Sequence, residues 1–271
     1  MAGGAREPGR TVVSRVLAIL GAFDVGHQLL SLSDLAARTG MPLSTVHRLV
    51  GELVDQQALG RTPEGRLRVG PRLWELGRLA PSRLEDLARP WLHELFAVTG
   101  ENVHLAVRDG TRVLYVDMLH GPKAVPLVSR VGSRLPMHPT GVGKALLAHE
   151  PAWFVRAYLG RELERPTPFT ITQPGRLARE LAAVRLQGYA VTVEEMSPGT
   201  CSIAAPILVD DRAVAAVGAV LSAHRSRELG RLAEPLLSVT GEIARACGRA
   251  GVCESPFTQR NSPAYAARAT S

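Results

Sequence analysis

The sequence predicts an α+β chain of two domains, and three observations carry that expectation. Residues 11–70 hold three short amphipathic helical patterns followed by an arginine-rich hairpin. From Gly100 onward, alternating apolar strands recur in hairpins with helical patterns grouped between them, which favours an antiparallel sheet over βαβ units. The chain has 271 residues, too many for one typical domain and enough for a small and a larger one that each bury a core.

Residues 1–10 are rich in Gly and Arg and are expected to be a loose tail. From Thr11, the residues Val12, Val13, Val16, Leu17, Ile19, Leu20 and Phe23 recur at helical spacing, with Gly26 as the stop. A second helix is expected from Ser33, whose hydroxyl can cap free backbone amides while Asp34 suits the positive end of the helix dipole. Leu35 and Ala36 face inward and Gly40 ends it. Pro42 and Ser44 open a third helix, in which Val46, Leu49, Val50 and Leu53 form a core stripe at i, i+3, i+4 and i+7. Its other face shows Ser44, Thr45, His47, Arg48 and Glu52. Residues 58–62 and 65–69, around Pro63, Glu64 and Gly65, read as a β-hairpin. After the break at Gly70 and Pro71, the residues Leu73, Trp74, Leu76 and Leu79 predict a linker helix over 71–82, interrupted near Pro81.

Residues 83–250 are expected to form the second domain, with 251–271 a second loose tail. A helix over 84–98 carries the stripe Leu84, Leu87, Ala88, Trp91 and Leu95. Val103, Leu105 and Val107, then Val113, Tyr115 and Asp117, form a hairpin about the turn 108–110. Helices are predicted over 141–149, 152–159 and 176–187, strands over 189–193, 202–209 and 213–222, and a last helix over 227–248.

The bulk numbers exclude several classes. Hydrophobic residues make up 45% and charged residues 21%, ordinary values for a globular protein and unlike those of a disordered or fibrous one. The apolar stretch 213–223 is far short of the roughly 20 residues that span a bilayer, and no charged-then-apolar leader opens the chain, so a cytoplasmic protein off the membrane is expected. Cys201, Cys247 and Cys253 fit no paired spacing, which argues against disulfide frameworks and zinc ribbons and for buried or incidental thiols. The net charge of +7 suits a polyanionic partner, and 60–72 sets Arg61, Arg66, Arg68 and Arg72 against Glu64, four minus one, a local +3.

Helices joined by the tight turn Gly40-Met41-Pro42 and followed by a basic hairpin are what a winged helix-turn-helix requires. One stripe of the third helix holds it on the core while its exposed front enters the major groove, where residues near the helix N-terminus reach base edges. Ser44, Thr45, His47 and Arg48 sit at that front, and Ser33 on the preceding helix is counted with them. Arg48 can pair bidentately with guanine, whereas Ser44 and Thr45 suit phosphate or ambiguous base contacts. Arg61, Arg66 and Arg68 of the hairpin would grip phosphates or the minor groove. Operator DNA is the expected partner.

Three stretches resemble the IclR family of bacterial regulators: 32–50 (LSDLAARTGMPLSTVHRLV), 134–148 (RLPMHPTGVGKALLA), and the run from Gly188-Tyr189 to Ile203-Ala204-Ala205-Pro206. The resemblance runs from about Thr11 to Gly248. It implies a winged helix, a linker helix and a GAF-like effector domain with an antiparallel sheet and flanking helices, assembled as homodimers or dimers of dimers. Regulators of this family repress or activate genes of catabolic and related pathways in response to small organic acids or aromatics.

Thr140-Gly141-Val142-Gly143 leads directly into a helix, and free backbone amides at such an end attract anions without a buried Lys or Arg. The resemblance places Leu135, Gly141, Val142 and Ser202 around the effector, and Leu127 and Met137 are counted with them. The hydroxyl-bearing and acidic run from Thr192 to Ser197 is a candidate polar lid. Where family pockets for small keto acids offer serines, this chain has Gly218 and Val220, so a more apolar pocket for a larger aromatic or alkyl acid is expected.

Other chemistry fares poorly. Gly143-Lys144 fails as a P-loop, because His138 stands where the first Gly belongs and Ala145 where Ser or Thr should ligate magnesium. His93-Glu94 has Ala97 where a zincin needs its second His. His104, His120, His138 and Cys201 lack ligand spacing, and no Gly-x-Ser-x-Gly elbow occurs. Neither a cofactor nor a metal is expected. The rival reading is an enzyme that turns over a small acid with the helical module serving assembly.

Overall fold

The computed structural model describes residues 11–24, 26–79, 83–121 and 128–251, in two compact units that part between residues 81 and 82. The expectations for the tails 1–10 and 252–271, the break near Pro81, Leu127 and Cys253 lie outside the described residues.

In the first unit, α1 (Val12–Leu20) starts at Thr11, whose hydroxyl accepts the Ser14 amide. It ends at Gly21 rather than Gly26, because the Asp24 carboxylate takes the Gly26 amide and the His27 ring into a local turn that leaves Phe23 beyond the helix. The cap of α2 (Leu32–Thr39) is Ser31, not Ser33. Ser31 Oγ accepts the Asp34 amide while the Asp34 carboxylate accepts the Ser31 amide, a reciprocal box that satisfies two orphan donors. Gly40, at φ +67°, ends α2 in the left-handed region that favours glycine. In α3 (Leu43–Asp55) the buried stripe is Val46, Leu49, Val50 and Leu53.

β1 (Leu59–Arg61) and β2 (Leu67–Val69) pair antiparallel and are shorter than the spacing predicts, since the Thr62 amide bonds to the Arg66 carbonyl and closes the turn early. Leu30 bridges Leu67 from the other side, and both are buried with Ile19, Leu35 and Leu59. The start of α4 (Pro71–Leu79) is tied to this core by the Gly70 amide on the Ala58 carbonyl and by the packing of Leu73.

The second unit opens with α5 (Arg83–Thr99), whose buried stripe is Leu84, Ala88, Leu92 and Leu95; Trp91 and Leu87, expected in that stripe, only flank the core. The sheet is antiparallel with order β5-β4-β3-β8-β7-β6. Its strands are β3 (Asn102–Asp109), β4 (Arg112–Leu119), β5 (Arg134–Pro136), β6 (Ala190–Val193), β7 (Thr200–Val209) and β8 (Arg212–Ser222). Three residues long, β5 is too short to leave a periodic signal and was not expected. Between the strands lie α6 (Gly141–Ala148), α7 (Ala152–Leu159) and α8 (Pro174–Gln187).

Both faces of the sheet are covered. Val103, Leu105, Val107, Ile203 and Val217 pack with α5 and with Leu236 and Ile243 of α9 (Ala233–Ala250). Ala106, Tyr115, Ala204 and Ala216 pack with Leu146, Leu147 and Leu177 of α6 and α8. The final α-helix begins at Ala233 instead of 227, because Ala223–Leu232 is a 3₁₀ stretch in which Arg225 pairs with the buried Glu101 and with Glu228.

Candidate functional site

The front of α3 is exposed at Ser44, His47 and Arg48, while Thr45 is half-buried. Its N-terminus has no side-chain cap, so backbone donors remain available there for an anion. Arg48 is held 2.7 Å from Glu52, one turn on, both side chains mostly in solvent. Ser33, Arg61, Arg66 and Arg68 are exposed in the same unit. Such solvated groups can change partners at small cost, because an exposed ion pair contributes little.

The second unit contains a cavity of about 50 Å³ between the sheet and the start of α6. Two cross-strand rows line it: His104, Gly218 and Ala204 on β3, β8 and β7, and Val220, Ser202 and Thr192 on β8, β7 and β6. Thr140, Gly141 and Val142 meet these rows from α6, with Leu135, Ser129, Glu195 and Met196 at the rim. Ser202 and Thr192 share a hydroxyl hydrogen bond of 2.7 Å.

Glycine makes this approach possible. A Cβ on Gly141 would lie 2.6 Å from Ser202 Oγ, and one on Gly218 would lie 3.0 Å from Val142 Cγ1. Thr140 Oγ1 accepts the Gly143 amide, and the Gly141 and Val142 amides have no partner among the described residues. They are donors at the positive end of α6, on residues that line the cavity.

Behind them Lys144 is wholly buried, with Nζ 2.5 Å from Glu195 Oε1 and 2.9 Å from Glu180 Oε1. Burial pushes the Glu195 carboxyl above its ordinary range, and the Lys144 ammonium pulls it back. Lys144 is thus committed to two carboxylates, and the amides are left as the cavity's anion donors.

Of the residues the sequence nominated, Leu135, Gly141, Val142, Thr192, Ser202, Gly218 and Val220 come together. Met137 does not: it is fully buried in the core beside α6 and lines no part of the cavity. His138 lies elsewhere, with its ring held by Tyr158 Oη at 3.0 Å and the Glu164 carbonyl at 2.8 Å. His104, Tyr115 and Ser129 line the cavity without a signal that placed them there, and Glu195 and Met196 come from the run 192–197 expected as its lid. A lone Lys144 inside the apolar run 141–148 was the available signal for a buried ion pair, and His104, alternating with Val103 and Leu105, signalled the opposite sheet face.

Both parts match known families. Residues 12–63 match the IclR helix-turn-helix domain, and residues 79–247 match the C-terminal domain of the bacterial transcriptional regulator IclR. The chain belongs to the IclR family. Among curated IclR-type relatives, the HTH-type transcriptional regulator XynR of Escherichia coli is 33% identical over 249 residues, covering 87% of this chain and 96% of its own length. KipR of Bacillus subtilis, also an HTH-type transcriptional regulator, is 32% identical over 246 residues, covering 88% and 97%. An IclR homolog from Microbacterium hydrocarbonoxydans, solved in complex with 4-hydroxybenzoate, superposes with a TM-score of 0.83 at 32% identity, covering 88% of this chain and 99% of that one. As a member of the IclR family, this chain is a DNA-binding transcription regulator of the effector-controlled kind.

Proposed function

We propose that the front of α3 reads operator DNA through Ser44, Thr45, His47 and Arg48, and that Ser33, Arg61, Arg66 and Arg68 hold its backbone or minor groove. Binding is controlled by a small organic acid or aromatic effector in the cavity beside α6. The observation that carries this reading is the pair of amides, Gly141 and Val142, without a partner among the described residues and on residues that line a cavity, in a chain with a helix-turn-helix. The Microbacterium relative, solved with an aromatic acid, supports the ligand class. Leu135, Val142 and Val220 in the lining favour an aromatic or alkyl acid over two- or three-carbon acids.

The Ser202 hydroxyl is engaged by Thr192 rather than by a base, which supports a binding site over an enzyme. A homodimer, or a dimer of dimers, accounts for the apolar residues exposed on α1, Val12, Val13 and Leu17. No helix of the described residues is long and apolar enough to cross a membrane. A regulator bound to operator DNA works in the cytoplasm.

A mobility-shift assay on the gene's own upstream region tests the DNA half. Arg48→Ala should weaken specific binding by roughly 1 to 3 kcal/mol, and an unaltered footprint would remove Arg48 from the interface. For the effector half, a thermal-shift panel should show stabilisation by aromatic or longer alkyl acids. Stabilisation by two- and three-carbon acids alone would overturn the ligand class.

A further inference from the structure

Among the described residues of the cavity wall, His104 is a buried polar side chain that neither the packing nor the proposed anion site uses. His104 is 3% exposed and lines the cavity from β3, edge-on to Tyr115 with ring centroids 5.4 Å apart. Its Nε2 has no hydrogen-bond partner among the described residues. Of the other polar groups in the lining, the Tyr115 hydroxyl is engaged with Thr140, Ser202 with Thr192, and Glu195 with Lys144.

Burial, with the charge of His120 acting in the same direction, pushes the imidazole down to about 3, so the ring is neutral at physiological pH and cannot act as a cation for a carboxylate. Across the strands, Gly218 and Ala204 stand in the same row and add little bulk beside the ring. A buried polar atom without a partner is costly, and natural structures seldom keep one without a use for it.

We propose that His104 is a specificity determinant which reads a neutral hydroxyl on the effector, so that the ligand is a hydroxylated acid with its carboxylate on the Gly141 and Val142 amides and its hydroxyl on His104 Nε2. This rests on the reading of the cavity as the effector site. A hydroxyl both donates and accepts, and therefore satisfies either neutral tautomer of the ring. An analogue without it leaves Nε2 unpaired in the complex, which is how polar sites reject close homologues.

The test is titration calorimetry on the full-length chain with matched pairs: 4-hydroxybenzoate against benzoate, and 4-hydroxyphenylacetate against phenylacetate. In at least one pair the hydroxylated acid should bind roughly tenfold more tightly or better. In His104→Phe that preference should vanish, and His104→Gln should keep part of it. The ligand-free His104→Phe protein should melt no lower than the wild type, since an unpaired polar atom is removed; a plain core role for His104 would lower its Tm. A preference that survives in both variants, equal binding within both pairs, or no binding by any of the four acids overturns the proposal. Gly218→Leu separates the two readings, because it fills the cavity. Unchanged binding in that variant sinks the cavity reading itself, whereas lost binding with an intact preference in His104→Phe sinks only the role of His104.

Discussion

Two buried ionisable side chains define the second unit at the scale of single residues. Lys144 has no exposure, and its ammonium is balanced by Glu195 and Glu180. Removing one partner of a buried pair leaves an uncompensated charge, so Lys144→Met should cost about 3–5 kcal/mol in urea denaturation. Adding Glu195→Gln to that variant should recover part of the loss. His104 makes the opposite prediction, through pH. Its folded pKa of about 3 lies below the ordinary histidine value near 6.5, so the unfolded chain binds the extra proton between those values. Its stability contribution is complete above about pH 6.5 and is lost as pH falls toward 3. Between pH 7 and pH 5 the wild type should therefore lose about 2 kcal/mol relative to His104→Phe, measured by denaturant titration at each pH. An unchanged difference would mean that the imidazole is not held neutral.

Among the elements, the starts of α2 and α6 show how local chemistry sets a boundary and then a site. The three hydrogen bonds between Ser31 and Asp34 begin α2, and Ser33 lies two residues past the cap, exposed. Ser31→Ala should cost about 0.5–2 kcal/mol, while Ser33→Ala should stay within about 0.5 kcal/mol, as thermal unfolding can read. At α6 two glycines differ in what they protect. A Cβ on Gly143 would lie 2.1 Å from the Met137 carbonyl oxygen, inside the backbone, whereas one on Gly141 would meet the Ser202 hydroxyl. Gly143→Ala should accordingly destabilise the fold. Gly141→Ala should fold but lose effector-induced thermal stabilisation, because the added methyl parts the free amides from the sheet.

At the scale of the whole molecule, the two units form a switch only if ligands at the two sites are coupled. A tenfold change in operator affinity requires about 1.4 kcal/mol of coupling, and the coupling is reciprocal. Operator DNA should therefore change effector affinity by the same factor that effector changes operator affinity, measured by titrating each ligand with and without the other. Unequal factors would show that a third equilibrium, such as subunit association, has been left out. Operator binding should also weaken steeply with salt, as expected when exposed arginines such as Arg61, Arg66 and Arg68 displace counterions from phosphate.

Periodicity and punctuation were enough to specify the helix-turn-helix and the antiparallel sheet, because those signals are local, whereas Leu135, Gly141, Val142 and Ser202 were pointed to by the family resemblance. The Val46, Leu49, Val50 and Leu53 stripe, the Gly40 turn and the glycines at 141 and 143 each act within one or two turns of chain. Packing between distant segments decided the rest. Alternation in 103–107 is compatible with one wet face, and His104 is buried only because α6 and its neighbours cover the side it shares with Ala106. Lys144 acquires its meaning from Glu195, more than fifty residues on, and Glu180. Met137, adjacent in sequence to residues near the cavity, turns into the core instead. A short-range pattern records which side of a strand a residue takes, but the energy of a buried charge or an unpaired imidazole depends on what the rest of the chain brings against it.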